Sequence, residues 1–479
     1  MQQLNRSNHS TTTRPLKVIQ FGGGNFLRAF ADAMIAQANQ ELNFNGNVAV
    51  VEYMGAQLAT TINQQQGLYQ LIIQGLVDGS PRRETCIIDS IALAINPEQD
   101  FVNFLALAAE PQVRYIISNT TEAGIVFDAN DDQLIKPGKS FPAKLTQLLF
   151  ARYQIFNHAA DKGMIILACE LIEDNGAVLK EICLRYARLW QLGNDFIDWL
   201  NSANYFCSTL VDRIVTGFPH GDQELLASLP YADQLVTVAE PYYSWVIAGA
   251  EAVKNELIFN HPQFNVKLVD DLAAYRQLKV RLLNALHTAL VPVAYLAGVD
   301  EVRLSLENPL LKRYIQQLIN DEIIPTLAVS TKEAQAFAAE VLERFANPYI
   351  VHLLMSIALN SIAKFVARDL PIIEDYQQKY SQPPQALAFA LAALLVFYRG
   401  YRGNEPIALN DDHEIIKFFQ SVWDDRQLTL SLQVQQLLAN PRLWGKDLSA
   451  NLLLLKTVTR QVTQILDKGI MPALTEVLK

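Results

Sequence analysis

Short aliphatic runs with no polar face recur through the first half of the chain, with helical stretches between them. Lys17–Phe21, Val48–Val51, Tyr115–Ser118, Met164–Ala168 and Thr209–Val215 are the five clearest. A strand with one wet face alternates polar and apolar residues; these do not, so both of their faces must be covered. Covered strands alternating with helices predict a doubly wound parallel α/β sheet. Leu71–Leu76 and Cys86–Ile95 flank the turn-rich GLVDGSPRRE and read as an added hairpin outside the crossover series. From about Asp270 the strand signals stop. Helical periodicity then runs over 272–296, 312–320, 331–345, 348–368, 384–398, 412–422 and from 448 onward, punctuated by ENP, ANP and SQPP. The chain therefore reads as an α/β domain over 1–269 and a mainly α-helical domain over 270–479. Two short β-like pieces, around Leu235–Val238 and Trp245–Ile247, fall at the edge of the first, and the polar first fourteen residues read as a frayed terminus.

Composition removes several classes of function. Lys plus Arg is 39 against 49 for Asp plus Glu, a net charge of −10 with no long basic run, which makes a poor partner for nucleic acid or an anionic membrane. The longest apolar run, Ala386–Tyr398, has thirteen residues. A membrane span needs about twenty, so this run predicts a buried helix. No apolar signal segment opens the chain. Four scattered cysteines, Cys86, Cys169, Cys183 and Cys207, form no CxxC pair and fit a reduced, cytoplasmic compartment. His9, His158, His261 and His413 show no ligand spacing, and no metal is expected.

The first chemical signal is a turn. Lys17–Phe21 runs straight into Gly22-Gly23-Gly24-Asn25-Phe26-Leu27-Arg28, and a helical stretch follows through Gln40. A glycine turn between strand and helix lets backbone approach a pyrophosphate, and the helix start adds free N–H groups. Gly22 and Gly24 match the first two glycines of GxGxxG; the third position is Leu27. Glu52 ends the second strand, where a carboxylate accepts from both ribose hydroxyls and repels a 2′-phosphate, favouring NAD over NADP. A plain surface glutamate would occupy the same place.

The second signal is Lys279, Asn284 and His287 in a leucine-rich helical stretch. At about 100° per residue, His287 falls about 80° from Lys279 and Asn284 about 140°, so all three can face one cleft. A desolvated Lys can serve as acid or base, and Asn and His can hold a substrate oxygen. A snorkelling Lys, a capped Asn and a satisfied core His would show the same spacing.

The residues then match a family. QFGGGNFLRAF at 20–30, NQQQGLY at 63–69, ISNTTEAGI at 117–125, ACELIEDNG at 168–176, STLVDRIV at 208–215, AEPYYSWVI at 239–247, KVRLLNALHTALVPVAYLAG at 279–298 and RFANPYIVHLLMSIALNSIAKF at 344–365 make the chain resemble the mannitol dehydrogenase family, the zinc-independent long-chain polyol dehydrogenases. The resemblance implies an N-terminal Rossmann domain, a helical substrate domain and NAD as cofactor. It implies Lys279 as general acid/base with Asn284 and His287 on the reacting oxygen, and places Asp212, Lys364 and Glu122 near the substrate. Phe21 through Arg28, Glu52, Asn119 and Thr120 would hold the cofactor.

Two departures from the polyol branch bear on the substrate. Cys169-Glu170-Leu171 stands where that branch has Cys-Asp-Asn, and Ser356 stands where it has an Arg eight residues before the Lys matched by Lys364. Both remove polyol contacts, and both agree with the branch that interconverts D-tagaturonate and D-altronate. Ala285-Leu286 replaces a usual Gly-Ala pair. A small sugar-acid substrate is thus expected, with Lys364 the candidate for its carboxylate, and a monomer or weak dimer. The alternatives are a related mannitol, polyol or fructuronate reductase, or a dinucleotide-binding homologue without catalysis.

Overall fold

A computed structural model describes residues 1–479 apart from 53–54, 121–123 and 132–133. Glu122 lies outside the described residues. The chain divides into two compact units, one of Met1–Gln74 and Arg82–Leu272, the other of Gly75–Pro81 and Ala273–Lys479.

The first unit is built on an eight-stranded sheet. Its strands are β1 (Leu16–Phe21), β2 (Asn47–Val51), β3 (Ile91–Ile95), β4 (Tyr115–Ser118), β5 (Ile165–Ala168), β6 (Tyr205–Asp212), β7 (Ser244–Ala248) and β8 (Val266–Val269). They lie in the order β8-β7-β6-β5-β4-β1-β2-β3. Read from β3 to β6, all neighbours are parallel and the order is 3-2-1-4-5-6, the doubly wound arrangement with its switch point between β1 and β4. β7 runs antiparallel to β6, and β8 parallel to β7. Alternate residues explain why the runs lack a polar face. Val18, Val50, Ile117 and Leu167 enter one apolar cluster; Ile19, Val51, Ile116 and Ile166 enter another. Successive side chains leave a strand on opposite sides, so both sides of this sheet are covered.

Two expectations need correction here. Cys86–Ile95 is not one arm of a hairpin: Ser80–Ile88 pairs in a small second sheet beside Tyr69–Val77, while Ile91–Ile95 is β3 of the main sheet. Buried Asp89 and Ser90 separate them, Asp89 paired with Arg14 at 2.9 Å and Ser90 donating to the Asp32 carbonyl. The N-terminal segment is not frayed either. Leu4 is fully buried, Gln3 bridges to Ala232, and Arg6 donates to Gln66 and to the Ile91 carbonyl.

The second unit is mostly helical. Its centre is the Gln385–Phe397 helix, buried on every side against the Leu286–Leu296 and Leu452–Lys468 helices. Among the described residues no helix is long and apolar enough to cross a membrane. The expected helix over 348–368 is broken: Leu354–Ile357 and Ser361–Arg368 are separate, with Asn360 between them at φ +53°. Asn tolerates that left-handed conformation and stands at the N-cap of the second helix, after the first has closed at Ile357.

Candidate active site

Two groups of residues carry chemistry. In the first unit the glycine turn sits at the switch point of the sheet. Gly22 adopts φ +101°, and a Cβ there would come within 3.0 Å of the Asn119 carbonyl oxygen, so the turn needs glycine on both counts. Asn119 in turn donates its backbone N–H to Phe21 and its amide to the Cys169 carbonyl, tying β1, β4 and β5 at their carboxyl ends. Phe21, Gly22 and Gly23 are buried; Gly24 and Asn25 are exposed, and a Cβ on Gly24 would meet nothing. The backbone at the start of the Asn25–Ala29 helix is therefore open to a close-lying ligand. Leu27 is buried at the third fingerprint position, and the helix breaks at Phe30, on which Phe26 stacks at 4.9 Å.

Glu52 is 6% exposed and its Oε2 accepts from the Gly23 N–H at 3.1 Å. The carboxylate thus stands at the turn, one strand over. Arg28 is buried behind it. Its guanidinium donates to the Gly23 carbonyl at 3.0 Å, to Asn25 Oδ1 at 2.6 Å and to Thr237 Oγ1 at 3.1 Å. Thr120 is buried and donates through both N–H and Oγ1 to Glu170 Oε1 at 3.0 Å. Glu170, the middle residue of the Cys-Glu-Leu triplet, also accepts from Ser118. Burial raises its carboxyl above the usual range, against those hydrogen bonds. Sequence reasoning missed this brace; its signal was an acidic residue two positions past a fully buried strand. Bare backbone at Gly24 and a carboxylate at the end of β2 fit a dinucleotide.

In the second unit the predicted catalytic helix is not uniform. Ala273–Lys279 is α-helical, Val280–Ala285 forms a π-helix, and Leu286–Leu296 resumes the α-helix. Lys279 closes the first segment, Asn284 lies in the wide turn, and His287 is the second residue of the resumed helix. A constant 100° step does not describe their azimuths, and π turns of this kind recur at functional sites. All three are half-buried. The Asn284 carbonyl accepts from Thr288 Oγ1 at 3.0 Å. His287 stacks on Phe345 at 4.1 Å and meets the edge of His352 at 5.1 Å. Its Nε2 is inaccessible and has no hydrogen-bond partner among the described residues. Burial holds the His287 imidazole well below its ordinary range, and His352, Arg344 and Arg368 push it further down. It is neutral at neutral pH, able to donate or accept one hydrogen bond.

Lys364 lies on the Ser361–Arg368 helix and donates to the Ile357 carbonyl at 2.7 Å. His352 belongs to neither half of the broken helix, so the two are not related by a helical azimuth. Asp212 ends β6 in the first unit, half-buried, in register with Ser244. Its neighbour Arg213 donates to the Glu240 and Ala29 carbonyls. A cavity of about 580 Å³ in the second unit, lined by Leu76, Leu306, Ile315, Leu342 and Pro348 among others, contains none of the residues singled out from the sequence. Among the described residues no group of three or more His, Cys, Asp or Glu side chains is placed to hold a metal ion.

Residues 16–261 match the mannitol dehydrogenase Rossmann domain and residues 271–466 the mannitol dehydrogenase C-terminal domain. The chain belongs to the mannitol dehydrogenase family. Relatives within it include altronate oxidoreductases: 44% identical in Bacillus subtilis (strain 168), over 99% of this chain and 98% of that one, and 43% identical in Klebsiella pneumoniae (strain 342), over 99% of each. Among solved structures, D-sorbitol dehydrogenase in substrate-free form matches with a TM-score of 0.81 at 20% identity, over 98% of this chain and 100% of that one. Pseudomonas fluorescens mannitol 2-dehydrogenase, solved as a ternary complex with NAD and D-mannitol, matches with a TM-score of 0.67 at 21% identity over 99% of each chain. The family and the Rossmann-type fold read from the motifs are therefore both borne out.

Proposed function

We propose that this chain is an NAD-dependent oxidoreductase that interconverts D-tagaturonate and D-altronate. Relatives named altronate oxidoreductase at 42–44% identity across nearly the whole chain support that substrate pair. The observation that carries the chemistry is the helix that places Lys279, Asn284 and His287 around one wide turn, with a buried His287 Nε2 that no described residue bonds. Residues 1–269 serve the cofactor and 270–479 the sugar acid.

Phe21 through Arg28, Asn119 and Thr120 form the cofactor cradle, with Glu52 accepting from the adenosine ribose hydroxyls. Bound NADH supplies the hydride that reduces the carbonyl carbon. The chain's own part is to position the ketone and deliver one proton. Asn284 Nδ2 and the neutral His287 imidazole hold the reacting oxygen, with Asn284 Nδ2 donating to it as charge develops. Lys279 gives its proton to that oxygen on reduction and takes it back on oxidation. The balance is ketone plus NADH plus one proton to alcohol plus NAD. Asp212 and Lys364 contact the remainder of the sugar acid, and the enzyme works in the cytoplasm as a monomer or weak dimer.

Purified protein should oxidise NADH when given D-tagaturonate, at a kcat/KM well above that for fructuronate, fructose or mannitol in the corresponding direction. Comparable activity on a neutral polyol would transfer the reading to a polyol dehydrogenase. NADH binding with no turnover of any of them would leave a sensor.

A further inference from the structure

We infer that Arg368, with Lys364 one turn before it, is the receptor for the carboxylate of the sugar-acid substrate. The inference rests on the functional reading above and goes beyond it, because the family resemblance points to Lys364 alone.

Arg368 closes the Ser361–Arg368 helix and reaches the catalytic helix. Its Nη1 donates to Thr288 Oγ1 at 3.2 Å and lies 3.5 Å from the Asn284 carbonyl. That puts a guanidinium against the backbone of the residue assigned to the reacting oxygen. Its Nε and Nη2 have no hydrogen-bond partner among the described residues, and no described carboxylate forms an ion pair with it, although the side chain is half-buried. A half-buried arginine without a carboxylate is unusual, since guanidinium groups out of water are normally paired.

The surroundings sharpen this. Lys364 is four residues earlier on the same helix face, and the two cations repel: Arg368 is among the causes that lower the Lys364 ammonium, after burial. Arg344 and Arg368 both press on His287. The neighbouring carboxyl of Asp369 forms no hydrogen bond or ion pair with Arg368. Asp369 is fully buried, both its oxygens lack partners among the described residues, and burial raises its carboxyl well above the usual range, with Arg368 opposing. Like charges held together beside a substrate-facing helix favour an anion between them. A guanidinium with two open donors on one edge suits the paired oxygens of a carboxylate better than the single point charge of Lys364. The chain carries −10 overall, so attraction for an anionic substrate has to be local.

Arg368→Met, Arg368→Lys and wild type should be compared on D-tagaturonate and on its neutral counterpart D-tagatose, with NADH affinity and thermal midpoint measured for each. For Arg368→Met we expect KM for the uronate to rise roughly 10–100-fold, the loss of a partly desolvated charge-assisted pair, with a change of less than about threefold for the ketose. Arg368→Lys should recover part of that loss, for the uronate only. Should Arg368→Met not fold, a uronate-selective rise in Arg368→Lys carries the same meaning. Proportional losses on both substrates, or an unmoved KM for the uronate, would overturn the assignment. If the wild type itself fails to prefer tagaturonate over tagatose, the functional reading falls first and takes this one with it.

Discussion

The glycine turn of the first unit and the interrupted helix of the second handle polar groups in opposite ways. At the turn, the candidate residues are bonded to one another: Glu52 to Gly23, Arg28 to Gly23, Asn25 and Thr237, Thr120 to Glu170. What stays open is backbone, at Gly24. Around the helix, the reverse holds. His287 Nε2 and the Nε and Nη2 donors of Arg368 have no hydrogen-bond partner among the described residues, and neighbouring cations repel. A site that binds one invariant cofactor through its main chain can satisfy its side chains in advance. A site that must both bind and convert a small anion leaves donors unsatisfied until the substrate arrives, and tolerates the electrostatic cost.

The largest expected effect tests the open side of that contrast. Lys279→Ala should lower kcat by on the order of 10²–10⁴-fold, the usual worth of a positioned acid/base, with NADH affinity held. A variant close to wild type in kcat would remove Lys279 from the chemistry. The closed side is tested by Glu52→Gln, which keeps an acceptor toward Gly23 but loses the charge facing a 2′-phosphate. Its NADH-over-NADPH preference, measured as a ratio of kcat/KM, should narrow by roughly tenfold, one lost charge contact in a partly screened site. An unmoved ratio would place the selector elsewhere.

A third comparison concerns Asp32, which lies beneath the turn as Asp369 lies behind Arg368 in the second unit. It is fully buried, accepts from Gln20 Nε2 at 3.2 Å, and is raised to about 7 by burial, with Gln20 and Arg28 opposing. Its folded value exceeds the unfolded one, so the native state binds the extra proton between about 4 and 7. Stability attached to that proton is complete below about pH 4 and lost as pH rises through about 7. Asp32→Asn should therefore gain on wild type as pH climbs from 5 to 7.5, by on the order of 1–4 kcal/mol at the top of the range. Thermal midpoints across that range check it; a gain that grows toward low pH would reverse the sign and refute the argument. The smallest effect should come from a chelator. Prolonged EDTA should leave turnover unchanged, and activity lost to EDTA and restored by a divalent ion would overturn metal-free catalysis.

What the sequence made legible follows from range. β1, β2, β4 and β5 were readable because burial on both faces writes itself into every residue, and the Gly22 turn because its conformation admits almost nothing else. β3 was hidden because Ser80–Ile88 and Ile91–Ile95 are separated only by Asp89 and Ser90, a break whose partners, Arg14 and the Asp32 carbonyl, lie far away in the chain. The N-terminal segment misled in the same way: its polar residues bond to Gln66 and Ile91, which no local pattern reveals. In the second unit the long apolar helix was plain, but the break at Asn360 and the π turn at 280–285 leave hydrophobic spacing almost untouched. Arg368 was passed over because a cation at a helix end looks like ordinary dipole compensation until its missing partner is seen.

The π turn has a consequence for how this protein can vary. Residues up to Lys279 and residues from Leu286 belong to two helical frames that differ in phase, and the candidate triad is drawn from both. Its geometry is stored as an offset between frames, not as a distance along one rod. Removing a single residue between Val280 and Ala285 would let the helix close into one continuous α-helical frame, with better hydrogen bonding, and would leave the downstream face nearly where it is, because a π turn is one extra residue folded into an α-helix. The hydrophobic face of Leu286–Leu296 would keep to the core it fills, and what the deletion would lose is the wide turn that carries Asn284, so packing behind the helix does not by itself hold the irregularity in place.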